Sequence, residues 1–156
     1  MRERDACGIG FVADGAGRAS RTVVLAALEG LAGVRHRGAV AADARTSDGI
    51  GLLTPLPAAV YGEGHGVAML FVRGDDPDAV RPAIERLAAT EGLRVVGWRV
   101  PPTAGDVLGV AAAATRPHLL QAVLADDDPG RGAGDPAAAA EDRERAAYRL
   151  RRRIGA

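Results

Sequence analysis

The sequence predicts an α+β domain built in layers, and three observations carry this. The chain has 156 residues, the length of one ordinary domain. Its apolar residues alternate in some segments and recur at helical spacing in others. Strand-like segments follow one another closely in mid-chain, where a doubly wound parallel sheet would interpose a helix between every pair.

The first element is CGIGFVAD, residues 7–14. It reads as a strand, with Ile9, Phe11 and Ala13 alternating with Gly8, Gly10 and Val12. Two glycines weaken a strand, so they point to backbone that must approach another group closely. The turn GAGR follows. Ser20 is a helix N-cap. Val24, Leu28 and Leu31, widened by Val23, Ala27 and Val34, give an apolar stripe over 21–34. RHRGA and ADARTSDGIG are loop-rich. GIGLLT, 49–54, reads as a second strand ended by PLP.

A third strand spans 66–73. Asp76 and Pro77 match a cap followed by a first-turn proline. Val80, Ile84, Leu87 and Ala88 mark the face of the next helix, whose start Pro82 either kinks or delays. LRVVGWRV, 93–100, is a fourth strand, and PPTAGDVLG is an irregular connector. HLLQAVLAD, 118–126, fits either a strand or a helical turn. DDDPGRGAGDP, 126–136, is a loop. Its three consecutive aspartates read as a solvated turn, because neighbouring loop residues seldom converge on one ion. Asp135 and Pro136 open the last helix, 136–154. Glu141 and Asp142 sit early in it and the arginines sit late, the order a helix dipole favours. Glu141 and Arg145 form an i,i+4 pair.

Composition narrows the function classes. Hydrophobic residues at 47% and charged residues at 26% describe a folded, globular chain. Lys+Arg and Asp+Glu are both 20, so no basic excess draws in a nucleic-acid backbone. One cysteine can form neither an internal disulfide nor a Cys-rich metal site. No uncharged apolar stretch reaches membrane-spanning length, and no apolar run of the kind a secretion signal needs follows MRERDA. The composition predicts a cytoplasmic protein with no nucleic-acid or membrane partner and no metal.

The single cysteine, Cys7, admits two readings. It is a small buried hydrophobe, or it is a nucleophile. The glycines beside it leave room for a substrate. Removal of residues 1–6 would set a free α-amine beside the thiol. An α-amine titrates near about 8 and a free thiol near about 8.5, so the amine can take the thiol proton and later return it to a leaving group. An N-terminal amine activating its own side chain is an established form of nucleophilic catalysis. His36 lies between two arginines, which disfavour its protonation. His65 sits in a glycine-rich segment and His118 follows Pro117. Nothing in their spacing pairs any of them with Cys7.

CGIGFVAD followed by RHRGAVAADARTSDGIGLL resembles the start of the glutamine amidotransferase domain of the glutamate synthase large subunit. GVAMLFV, EGLRVVGWRVPPT, VLGVAAAATRPHLLQAVL and ERAAYRLRRRI continue the resemblance in that family's order, over nearly the whole chain. The joint presence of Cys-Gly-x-Gly-Phe, His-Arg-Gly-Ala and Asp-Gly-x-Gly at these separations makes the likeness specific. The resemblance implies an N-terminal-nucleophile hydrolase fold, a layered αββα sandwich. It implies a leader, 1–6, that is removed, and a glutamine amidotransferase domain over 7–156. Cys7 would attack the side-chain amide of glutamine, releasing ammonia and leaving a thioester that water hydrolyses to glutamate. Arg37 matches the family's Arg-Gly motif, where it binds substrate or supports the site together with Gly38. Asp48 and Gly49 would shape the adjoining loop.

This sequence departs from the pattern at Ser47, where the family has the first glycine of Gly-Asp-Gly. That change is tolerable where the turn needs no positive φ. The resemblance also puts the family's oxyanion-stabilising Asn-Gly pair, and the arginine and aspartate that hold glutamine, beyond the stretch matched here. The expectation is a partial domain completed by a partner chain or by self-association. FMN and an iron-sulfur cluster are expected only in a full-length glutamate synthase, with no cofactor in this chain. Two readings stay open: a glutamine amidotransferase, and a non-catalytic α+β interaction or regulatory module retaining the first half of the fold.

Overall fold

The computed structural model describes residues 8–34, 38–47, 49–128, 130 and 135–155. In chain order the elements are α1 (Arg21–Gly33), α2 (Ala58–Tyr61), β1 (Gly66–Val72), a 3₁₀ turn (Pro77–Val80), α3 (Arg81–Thr90), β2 (Leu93–Arg99), a second 3₁₀ turn (Gly105–Val107), α4 (Val110–Ala114), β3 (His118–Asp126) and α5 (Pro136–Ile154). The architecture is mixed α+β. The chain divides into two units, Met1–Thr54 with Ala104–Arg116, and Pro55–Thr103 with Pro117–Ala156.

The unit from Pro55 onward holds one antiparallel sheet in the order β1-β3-β2. β3 runs down the middle, paired with β1 from Val72↔His118 to Gly66↔Leu124 and with β2 from Leu93↔Asp126 to Arg99↔Gln121. This resolves the ambiguity of 118–126. A central strand covered on both faces has little period-two signal, because its inward and outward residues are both shielded. Residues Leu120, Gln121, Ala122, Val123, Leu124 and Ala125 are all buried. The register of β2 shifts between Val95 and Gly97, a bulge at the edge of the sheet.

One face of the sheet carries α3 and α5. Leu70 and Val72 of β1, Leu93 of β2, and Leu120, Ala122 and Leu124 of β3 form a core with Ile84 and Ala88 of α3 and Ala146 and Leu150 of α5. Full burial of a leucine contributes about 2 kcal/mol, so these helices are held by the sheet more than by their own propensity. Pro82 delays α3 rather than kinking it. Asp76 caps the preceding 3₁₀ turn by accepting from the Asp78 amide at 3.0 Å, and the α-helix begins only at Arg81. Trp98 closes the edge, donating from Nε1 to Glu85 at 2.9 Å, with the Arg81 guanidinium 5.2 Å above its ring. Asp135 caps α5 by accepting from the Ala137 amide at 2.9 Å.

α3 is tied to α5 by a buried carboxylate. Glu91 accepts from Nε of Arg149 and Nε of Arg153, both at 2.6 Å. Its side chain is buried, whereas the two arginines are half exposed. The arginines can therefore return to water when the carboxylate is lost, which moderates the cost. Glu91→Ala is expected to destabilise the protein by about 1–2 kcal/mol, read as a lower urea midpoint at unchanged slope.

The other face of the sheet is more open. Tyr61 of α2 accepts from Nε2 of the buried Gln121 at 3.0 Å. Arg99 stacks 5.0 Å from the Tyr61 ring and donates to the Val60 carbonyl at 2.7 Å. Beyond this cluster, Met69 and Phe71 are exposed, Phe71 to 70%.

The unit of Met1–Thr54 with Ala104–Arg116 differs from expectation. α1 forms as its stripe and cap predict, with Ser20 accepting from the Val23 amide at 3.4 Å. The strands expected over 7–14 and 49–54 do not: the described residues 8–14 and 49–54 are irregular. Asp14 instead opens a turn, its carbonyl accepting from Gly17 at 2.9 Å and its carboxylate from Ala16 at 2.7 Å. Ile9, Phe11 and Leu53 are almost fully exposed. Alternation marks a face but does not supply a partner, and a strand exists only as part of a ladder. Among the described residues, no atom lies within 4 Å of where a Cβ would stand at Gly8 or Gly10.

Among the described residues, no helix is long and apolar enough to cross a membrane.

Candidate functional site

Of the residues that the sequence singles out, Cys7, Arg37 and Asp48 lie outside the described residues. Gly38 and Gly49 lie within them, both exposed. They stand at the two ends of one tight loop. Val40 and Ser47 close that loop as an isolated antiparallel bridge. Within it the Ala41 amide donates to the Thr46 carbonyl at 2.7 Å, and the Ala44 amide to the Ala41 carbonyl at 3.0 Å. The bridge sets the chain that follows Gly38 against the chain that leads to Gly49. Ser47 occupies bridging, extended backbone and has no positive φ, so the departure from glycine there is accommodated. Among the described residues, none has an atom within 4 Å of where a Cβ would stand at Gly49.

Asp43 organises the loop. Its carboxylate accepts from the Thr46 hydroxyl at 2.6 Å, the Thr46 amide at 2.7 Å and the Arg45 amide at 3.0 Å. These bonds, the Thr46 hydroxyl first, hold its carboxyl well below the usual carboxylate range against a smaller opposing effect of desolvation. The turn is tight enough to drive Ala44 to a φ of +55°, a left-handed conformation that a Cβ disfavours.

The loop is fastened to a segment some sixty residues further on. Arg45 Nη2 donates to the carbonyls of Asp106 at 3.3 Å and Val107 at 3.4 Å. Thr46 Oγ1 accepts from the Ala112 amide in α4 at 3.4 Å. Gly109 makes this fit: a Cβ there would overlap Thr46 Oγ1 and Asp43 Oδ2. Gly109 is the one buried residue among the described residues of its unit. Asp43, Arg45, Thr46 and Gly109 were not legible as site residues. The local part had a signal, since an Asp followed by amides two and three residues on is the pattern of an Asx turn. The docking on 105–112 had none, because it is a long-range contact.

The Asp43 bonds give a pH prediction. The folded-state pKa lies below the unfolded one, so the unfolded chain binds the extra proton and this contribution to stability rises with pH. It is complete above about pH 4, the ordinary carboxylate range, and is lost as pH falls from there through the depressed folded value. Asp43→Asn is therefore expected to melt below wild type at neutral pH, with the gap narrowing from about pH 4 downward. Melting curves at stepped pH check this.

The remaining described candidates hold structural positions. His65 Nδ1 donates to the Tyr61 carbonyl at 2.6 Å, and a Cβ at Gly62, whose φ is +89°, would overlap the imidazole. His118 begins β3 opposite Val72; His36 lies outside the described residues. Asp126 pairs with Arg143 at 2.7 Å, and Asp128 accepts from the Gly130 amide at 2.8 Å, so the aspartate run bends a loop. Among the described residues no group of three or more His, Cys, Asp or Glu side chains could hold a metal ion.

Comparison with known proteins adds the rest. The chain matches the family Glutamine amidotransferases class-II over residues 7–156. It is 36% identical over 133 residues to the ferredoxin-dependent glutamate synthase of Pyropia yezoensis, covering 77% of this chain and 9% of that protein. It is 35% identical over 140 residues to ferredoxin-dependent glutamate synthase 2 of Synechocystis, covering 80% of this chain and 9% of the relative. To the large chain of the NADPH glutamate synthase of Azospirillum brasilense it is 34% identical over 167 residues, covering 97% of this chain and 10% of that one. The chain spans about a tenth of the length of these curated relatives.

Proposed function

The chain belongs to the class-II glutamine amidotransferases, and from that membership we propose that it hydrolyses the side-chain amide of glutamine with Cys7 as nucleophile. The observation that carries this reading is where the family match begins: at residue 7, the one cysteine of the sequence. A family register starting on the sole thiol supports removal of the leader, Met1–Ala6, to free the α-amine of Cys7. The folded chain is read as part of an N-terminal-nucleophile hydrolase sandwich. The sheet with α3 and α5 on one face supplies one helix layer and one sheet layer of it.

In this mechanism the free α-amine takes the thiol proton as sulfur attacks the amide carbon of glutamine. The C–S bond forms, and negative charge collects on the amide oxygen. The α-ammonium returns the proton to nitrogen, the C–N bond breaks, and ammonia leaves. Water, deprotonated by the same amine, then cleaves the thioester to give glutamate and restore the thiol. Arg37 and Gly38 bind substrate or brace the site, and Asp48 and Gly49 shape the loop beside it. The names of the relatives support a role for this reaction in glutamate synthesis. The residues present do not suit the flavin or the iron-sulfur cluster of a full-length glutamate synthase. One cysteine cannot ligate a cluster, and no nucleotide-binding glycine motif occurs, so no step runs through either group.

Incubation of the purified chain with glutamine tests the reading. Glutamate and ammonia are expected in equal amounts, and ammonia at the buffer background would overturn it. A second reading is favoured by the exposure of Met69 and Phe71 on the open side of the sheet: a non-catalytic module that docks on a partner chain or on itself. That reading expects no ammonia together with concentration-dependent association in sedimentation.

A further inference from the structure

We infer that Asp43 and Thr46 are positioning residues that hold Gly38 and Gly49, on either side of the Val40–Ser47 bridge, in one fixed relation through their docking on 105–112; the inference rests on the glutaminase reading for its functional part. Gly38 and Gly49 flank the same Val40–Ser47 bridge, one on each side. The bridge is a single pair and cannot fix its own orientation. Its geometry is set from inside, where the Asp43 carboxylate gathers the Thr46 hydroxyl and the Thr46 and Arg45 amides. It is set from outside where Arg45 reaches the carbonyls of Asp106 and Val107 and Thr46 Oγ1 meets the Ala112 amide.

Thr46 is the joint between the two sets. Its hydroxyl hydrogen goes to Asp43 and its oxygen lone pair to Ala112, so one atom serves both bonds. A methyl group in its place keeps the volume and loses both. Asp43 has its own reason to stay ionised, since every partner presented to its carboxylate is a donor. Gly109 shows that the fit is close from the opposite side, because any side chain there would displace the same two residues. A loop that only holds substrate contributes to binding more than to the chemical step, so its displacement raises KM more than it lowers kcat, and this loop runs between Gly38 and Gly49.

The test compares Thr46→Val, Thr46→Ser and Gly109→Ala in the full 156-residue chain, by hydrogen exchange and by glutamine kinetics. Thr46→Val and Gly109→Ala are expected to quicken amide exchange in 38–47 and in 105–112 together. Each is expected to raise KM for glutamine about tenfold while changing kcat less than about threefold. Thr46→Ser, which keeps the hydroxyl, restores both readouts. A purely structural role would lower the melting temperature and leave KM at the wild-type value, and that result overturns the inference. So does faster exchange confined to one of the two segments. A wild-type chain that releases no ammonia but shows the coupled exchange would overturn the glutaminase reading and support the joint between loop and segment.

Discussion

Cys7→Ser is expected to abolish glutamine-dependent ammonia release, a loss of about 10⁴-fold or more, while the melting temperature stays at the wild-type value. The size follows from the nucleophile. A thiol titrating near about 8.5 gives up its proton to an amine titrating near about 8 at almost no cost. A serine hydroxyl is far less acidic, so the same amine transfers its proton only as the attack proceeds. No other cysteine can take over, because Cys7 is the only one. The variant loses kcat rather than affinity, since sulfur contributes to the transition state and not to holding glutamine. Ammonia coupled to a reductive assay and glutamine binding by calorimetry separate the two. Equal ammonia release from the serine variant would mean that the nucleophile lies elsewhere.

Leu150→Ala is expected to cost about 3 kcal/mol, within a range of about 2–5, the largest stability effect of any single truncation in α5. Leu150 is 1% exposed and packs in one core with Ala146, Ile84 and Ala88 of α3 and the sheet. Removing its side chain leaves a cavity between a helix and a sheet that are both fixed by other contacts, so collapse is limited. Tyr148 is larger and only two residues away, yet it is 59% exposed. Tyr148→Ala is expected to change stability by no more than about 0.5 kcal/mol. Urea denaturation of the pair checks both, and similar midpoints would contradict the packing described for α5.

The contrast between these two residues explains what the sequence could reveal. Where an element's partners lie close in sequence, periodicity was enough. The stripe Val80, Ile84, Leu87 and Ala88 finds its sheet at once, and α5 runs over Pro136–Ile154 as its cap and charge order require. β3 was ambiguous for a physical reason, since a central strand shielded on both faces loses the alternation that identifies it. The segments 8–14 and 49–54 read as strands, but among the described residues nothing pairs with them, and a pattern cannot supply a ladder. Cys7, Arg37 and Asp48 were legible only as motif positions, through the company they keep along the chain. Asp43 and Thr46 were legible as a local turn but not as a joint, because Gly109 and Ala112 lie sixty residues away. Short-range chemistry can be read from a sequence; which loop docks on which is a property of the folded chain.

The intact mass of the purified chain, taken alongside its ammonia release, tests the central claim most directly. The account predicts that the active population has lost Met1 through Ala6 and begins at Cys7, with its α-amine free. A population that releases ammonia at full rate while Ala6 is still joined to Cys7 would contradict it, because an amide nitrogen cannot act as the base.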